Sequence, residues 1–239
     1  MSQALAVQGP SPAAQERINH IIEAAATVLA AQGYANTSIK DIAREAGIAQ
    51  GLVHYYFGSK EVLVLAVLGE TCAKMLDETR RSFSESQGHP LARAWAGLQA
   101  AEKRAAERPE LFRLMLEIVP LSHTNAALRA QLQDLYKNLC AEVTEMIDEI
   151  NQLIPTPLPI PAQDFAGVVV AAMDGLAIRG LVEPDGDPSA LYRALGFLLL
   201  TSMTSSYAAA GLPMPPAEEM SEVLGILPPA AGAEAPAQG

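Results

Sequence analysis

The chain has 239 residues and a formal charge of −11; half of its residues are hydrophobic but only 5% are aromatic. A chain this long buries well over half of its unfolded surface, and that apolar content excludes a disordered protein. The longest uninterrupted apolar runs, at 165–173 and 194–200, fall short of the ~18 residues that a membrane span needs. No secretory signal pattern is visible, and Cys72 and Cys140 are too few and too distant for a disulfide scaffold or a zinc cluster. The composition predicts a soluble, cytoplasmic protein with no membrane partner.

Residues 1–13 are rich in Pro, Gly, Ser and Gln and read as a disordered leader. From Gln15 to about Gln32, Ile18, Ile22, Ala25 and Leu29 recur at helical spacing, and Gly33 ends the run. Ser38-Ile-Lys-Asp41 is a capping box that opens a short second helix, which Gly47 terminates. A third helix follows over about 49–56; Gly58 and Ser59 then break and recap the chain before a fourth helix, from Lys60 to about Arg81. Further helices are predicted over 89–106, 109–118 (stopping before Pro120) and 123–152. The four prolines of 154–161 impose an extended loop. Two strongly apolar helices, 163–182 and 188–210, precede a Pro/Ala-rich tail from 211 with a brief helix at 216–224. The fold class is all-α.

Charge is uneven along the chain. Residues 1–60 hold four basic groups, Arg17, Lys40, Arg44 and Lys60, against four acidic ones, so the whole negative excess lies beyond. A neutral front on an acidic body can present a local basic face while the body repels nucleic acid. Within that front, residues 38–57 (SIKDIAREAGIAQGLVHYYF) have the order of a helix-turn-helix. Ile42, Ala43 and Ala46 face inward, Gly47 makes the turn, and Ile48 and Val53 bury the second rod against the first. Gln50, Gly51, His54 and Tyr55 are left on the outer face, free to enter a major groove. Gln pairs bidentately with adenine, and Gly lets the helix approach without a Cβ.

The stretch 16–64, from RINHIIEAAATVLAAQGYANTS through IKDIAREAGIAQGLVHYYFGSKEVL, resembles the TetR family of one-component transcriptional regulators. The resemblance rests on Gly33-Tyr34, Thr37-Ser38, the AGI turn, the HYYF end and Ser59-Lys60-Glu61. It implies an N-terminal three-helix DNA-binding domain (14–60) and a larger helical ligand-binding and dimerisation domain (61–210). It also implies that Thr37, Lys40, Tyr55 and Lys60 hold backbone phosphates. Ser38 begins its helix near phosphate, and Gln50, Gly51 and His54 lie closest to the bases. Two positions depart from the family pattern. Ala49 stands where Ser or Thr caps the recognition helix, and His54 where Tyr is common.

By the same resemblance the body binds a small molecule and pairs two subunits. A pocket among helices 60–81, 89–106, 109–118 and 123–152 would be walled by Trp95, Phe112, Tyr136 and His123. Met75, Leu98, Met115, Leu116 and Met173 would complete it, giving a lipophilic effector; taken singly, each of these residues is better explained by core packing. Val169, Met173, Leu176, Leu195, Leu198, Leu199 and Ser202 are the candidate dimer contacts, because the last two helices carry apolar stripes too wide for one-sided burial. A homodimer would set two recognition helices ~34–36 Å apart on a palindromic double-stranded DNA operator. Repression relieved by ligand is the function expected, and no cofactor or metal is called for. No hydrolase, zinc-protease, phosphate-loop or di-iron pattern points to an enzyme. The competing reading is a protein-interaction adaptor with a vestigial helix-turn-helix.

Overall fold

The computed structural model describes residues 11–86 and 90–213; most of the expected leader, His89 and the brief helix at 216–224 lie outside them. The described residues form nine α-helices: α1 (Pro12–Asn36), α2 (Ile39–Glu45), α3 (Gln50–Phe57), α4 (Lys60–Glu85), α5 (Pro90–Glu107), α6 (Pro109–Ser122), α7 (Ala126–Leu153), α8 (Ala162–Val182) and α9 (Pro188–Ala209). Contacts divide the chain into two compact units: Met1–Thr71 with Arg113–Gln133, and Cys72–Phe112 with Asp134–Gly239. A boundary at residue 60 therefore differs from the packing division. The first turns of α4 and the residues 113–133 of α6 and α7 belong with the N-terminal unit.

In that unit α2 packs on α1 and α3 packs on α2. Helix α1 starts at Pro12, where the Ser11 side chain accepts from the Ala14 amide, so ordered helix reaches into the expected leader. Gly33 breaks it at φ 74°, a left-handed conformation that β-carbons disfavour. The second helix carries the full capping box: the Asp41 amide donates to Ser38 Oγ, and the Ser38 amide donates to Asp41 Oδ2 at 3.1 Å. Gly47, at φ 64°, makes the turn to α3. Ile21, Ala25, Ile42, Ala43, Ala46 and Val53 are the buried residues these crossings share.

Helix α6 runs through Pro120 to Ser122 instead of stopping at 118. The missing proline N–H falls on the exposed side, where Leu116 and Pro120 both face solvent, so water can take the unpaired carbonyl.

In the second unit α5 packs on α9, and α8 on both. The core joins Phe83, Leu91, Trp95, Met146, Ile150 and Met203 with their neighbours. The proline-rich segment is pinned there by Ile154 and Leu158, which are buried, and by the Thr156 amide donating to Ser206 Oγ at 2.8 Å. Arg80 on α4 bridges Glu142, Glu145 and Glu149 on α7, and Arg93 reaches Glu149 from α5. Gly196 is the close approach that lets α9 lie on α5. A β-carbon there would overlap the Trp95 indole edge and come 2.8 Å from Leu98 Cδ2. Gly196→Ala is expected to destabilise this unit by about 1–3 kcal/mol, read as a lowered thermal midpoint.

Helix α8 is long and apolar enough to cross a membrane by length and composition, with mean hydropathy 1.8 over its best 18-residue window. Asp174 and Arg179 interrupt its apolar run without lowering the mean much. On α8 an exposed stripe follows Val168, Ala171, Gly175, Arg179 and Val182; on α9 it follows Ala194, Phe197, Leu198 and Thr201.

Candidate DNA-reading surface and ligand cavity

Helix α3 divides into two faces. Val53 is 0% exposed, while Gln50, Gly51, His54 and Tyr55 all face solvent, Tyr55 at 79%. The buried half fixes the helix on α2, and the outer half carries the polar groups. His54 Nδ1 lies 3.3 Å from the Gly58 carbonyl, which only accepts, so Nδ1 carries the proton. In neutral His54, Nε2 then accepts from the Gln50 side-chain amide at 3.5 Å. That interaction holds the Gln50 amide and leaves its oxygen free to accept. The N-cap Ala49 supplies no side-chain bond; its carbonyl accepts from the Leu52 amide at 2.9 Å.

The other candidate DNA-binding residues are placed unevenly. Ser38 and Lys40 are exposed at the start of α2. Thr37 is not: it is 3% exposed, and its hydroxyl donates to the Gly33 carbonyl at 2.6 Å. The cause is the break at Gly33, which strips that carbonyl of its helical partner. Lys60 is half-buried, donates to the Tyr34 carbonyl and stands 3.9 Å from the Tyr34 ring centroid. An ammonium has three donors, so two remain for another acceptor. This tie across 26 residues between the end of α1 and the start of α4 carried no local sequence signal.

The second unit contains a cavity of about 230 Å³ with almost wholly apolar walls. Met75, Leu98, Phe112 and Met173 line it. Trp95 is buried instead in the adjoining core against α9. Met115, Leu116 and His123 belong to the N-terminal unit, and Leu116 and His123 are exposed. Tyr136 does not line the cavity, but its hydroxyl donates to Asp174 Oδ2 at 2.8 Å, and Asp174 does line it. Leu139, Val143, Phe165 and Met203 line it as well and were not anticipated. A helical stripe does not say which of its residues meets a void.

Three candidate dimer residues, Val169, Met173 and Leu199, also face this cavity, and Leu176 faces a second pocket beside Tyr192 and Glu102. Leu195 and Ser202 are half-buried, which leaves Leu198 as the openly exposed member of that set. The outward apolar residues are Val168, Val182, Phe197 and Leu198. Periodicity gives the width of a stripe but not its rotation toward a partner.

Burial holds the Asp174 carboxyl above the usual carboxylate range, against the opposing pull of the Tyr136 hydroxyl. Burial, with Asp174 nearby, also pushes the Cys72 thiol up to about 12, which makes it an inert wall rather than a reactive thiolate. Because Asp174 ionises less readily folded than unfolded, its contribution to stability is lost as pH rises through the carboxylate range. Asp174→Asn is therefore expected to raise the thermal midpoint by about a degree or more at pH 7, with the gain disappearing below about pH 4.

Among the described residues no cluster of three or more His, Cys, Asp or Glu is placed to hold a metal ion. Comparison with known proteins bears on both units. Residues 21–67 match the family of bacterial regulatory proteins of the tetR type, and residues 90–203 match the C-terminal domain of BetI-type transcriptional repressors. The chain is 41% identical over 163 residues to the HTH-type transcriptional regulator BetI of Agrobacterium fabrum, covering 66% of this chain and 74% of that protein. It is 24% identical over 196 residues to BetI 2 of Chromohalobacter salexigens, covering 80% and 90%. A crystal structure of a TetR-family regulator from Rhodococcus sp. superposes with a TM-score of 0.64 at 22% identity, covering 79% of this chain and 99% of that one. With a polar-faced α3 crossing α2 in one unit and an all-helical second unit that matches a regulator's C-terminal domain, the chain belongs to the TetR family of DNA-binding transcriptional regulators.

Proposed function

We propose that the protein is a cytoplasmic repressor that binds a palindromic operator as a homodimer and is released from it by a small lipophilic ligand. The observation that carries the reading is the division of α3 into a buried half anchored by Val53 and a solvent-facing half bearing Gln50, Gly51, His54 and Tyr55. A packed helix with no other use for its polar face suits the major groove. Repression is favoured by the description of the family that residues 90–203 match, the C-terminal domain of BetI-type transcriptional repressors. The apolar stripes of α8 and α9 support pairing with a second copy, in the manner of a four-helix interface. Arg179 on the exposed face of α8 suits an aqueous rim better than a lipid environment.

The cavity supports a lipophilic effector, since ligand sites are mostly apolar with a few polar anchors. The helix that begins at Lys60 is the element through which occupancy would act on the DNA-reading residues. By linkage, a ligand that weakens operator affinity binds the DNA complex less well by the same factor. The test is fluorescence anisotropy with duplex DNA from the protein's own promoter. Specific binding that falls steeply with rising salt is expected. A protein-interaction adaptor would show no salt-dependent complex, and that result would overturn the reading.

A further inference from the structure

Among the described residues, Asp174 is the sole acidic side chain lining the apolar cavity, and no Lys, Arg or His lines it. Its nearest walls on α8 are Val169, Val170 and Met173, at helical spacings that set all four residues on one side of the helix. A carboxylate held in that setting lacks a counter-charge, and an uncompensated ion in apolar surroundings is costly. The raised carboxyl pKa reports the same deficit. Tyr136 donates to Oδ2 and so orients the group, while a carboxylate offers further acceptor positions. The charge repels carboxylates and phosphates, and the walls exclude ligands without a substantial hydrocarbon part.

We propose that the ligand of this cavity is a lipophilic amine, its protonated nitrogen donating to Asp174 and its hydrocarbon part filling the apolar walls. This rests on the reading that the cavity is the effector site. Asp174 supplies the charge partner and Tyr136 acts as a positioning residue. Tyr136→Phe weakens amine binding by several-fold and leaves a neutral ligand of the same length unaffected.

The experiment is isothermal titration of the full chain with n-octylamine, 1-octanol and octanoate, three probes of one chain length that differ in the head group. The amine is expected to bind at least about tenfold more tightly than the alcohol, and octanoate more weakly than either. Asp174→Asn is expected to erase the amine preference while keeping octanol affinity, which also certifies that the variant is folded; Asp174→Glu is expected to retain the preference. Equal affinity for amine and alcohol on the natural chain overturns the proposal while leaving the effector site intact, as does a preference that survives in Asp174→Asn. If none of the three probes binds, the proposal falls together with the reading of the cavity as an effector site.

Discussion

Val53→Asp is expected to abolish operator binding by unfolding the N-terminal unit. Val53 is fully buried where α3 crosses α2, among Ile42, Ala43 and Ala46 of the same small core. A carboxylate placed there has no counter-ion, and its burial costs several kcal/mol, a large share of what holds a domain of this size together. The measurement is thermal unfolding alongside anisotropy with promoter DNA. The control is Gln50→Ala with His54→Ala, both on the exposed face of α3. That pair is expected to leave the thermal midpoint within about a degree, since exposed substitutions shift stability by about 0.5 kcal/mol or less. Operator affinity is nevertheless expected to fall by about 1–3 kcal/mol for each base that the helix no longer reads, with nonspecific binding less affected. A Val53→Asp variant of normal stability and affinity would refute the assignment of α3 as the reading helix.

The second large effect concerns the exposed faces of α8 and α9. Val168 is 64% exposed and Leu198 63%, so glutamate at both adds no buried charge within one chain. In a two-fold dimer each substitution occurs twice on a self-complementary surface, and four carboxylates then meet where apolar side chains should. Val168→Glu with Leu198→Glu is expected to give a folded monomer in analytical ultracentrifugation at micromolar concentration. Operator affinity is expected to drop by roughly 10²–10⁴, because the second half-site is no longer delivered at high effective concentration. A dimer that persists would place the pairing surface elsewhere.

The helix-turn-helix was legible because its determinants are local. Capping by Ser38 and Asp41, the positive φ at Gly33 and Gly47, and the apolar spacing from Ile39 to Val53 each act within a few residues. The burial of Thr37 was not legible, for the opposite reason. Its hydroxyl is drawn inward by a carbonyl that becomes free only because the chain breaks at Gly33. Lys60 is similar, since its partner Tyr34 lies 26 residues away in sequence. Pro120 invited an early end to α6 that solvent exposure made unnecessary.

Taken by itself, the sequence determined an all-helical chain, the position of its DNA-reading rods and the residues on their outer face. Those features follow from side-chain periodicity, capping and backbone preference over short spans, where neighbours in sequence are neighbours in space. The tertiary structure alone decided which apolar residues surround a cavity, which face outward on α8 and α9, and that the carboxylate of Asp174 stands on the cavity wall. The rotation of each long helix about its axis is set by packing against helices tens of residues away, and a wide apolar stripe is compatible with several such rotations.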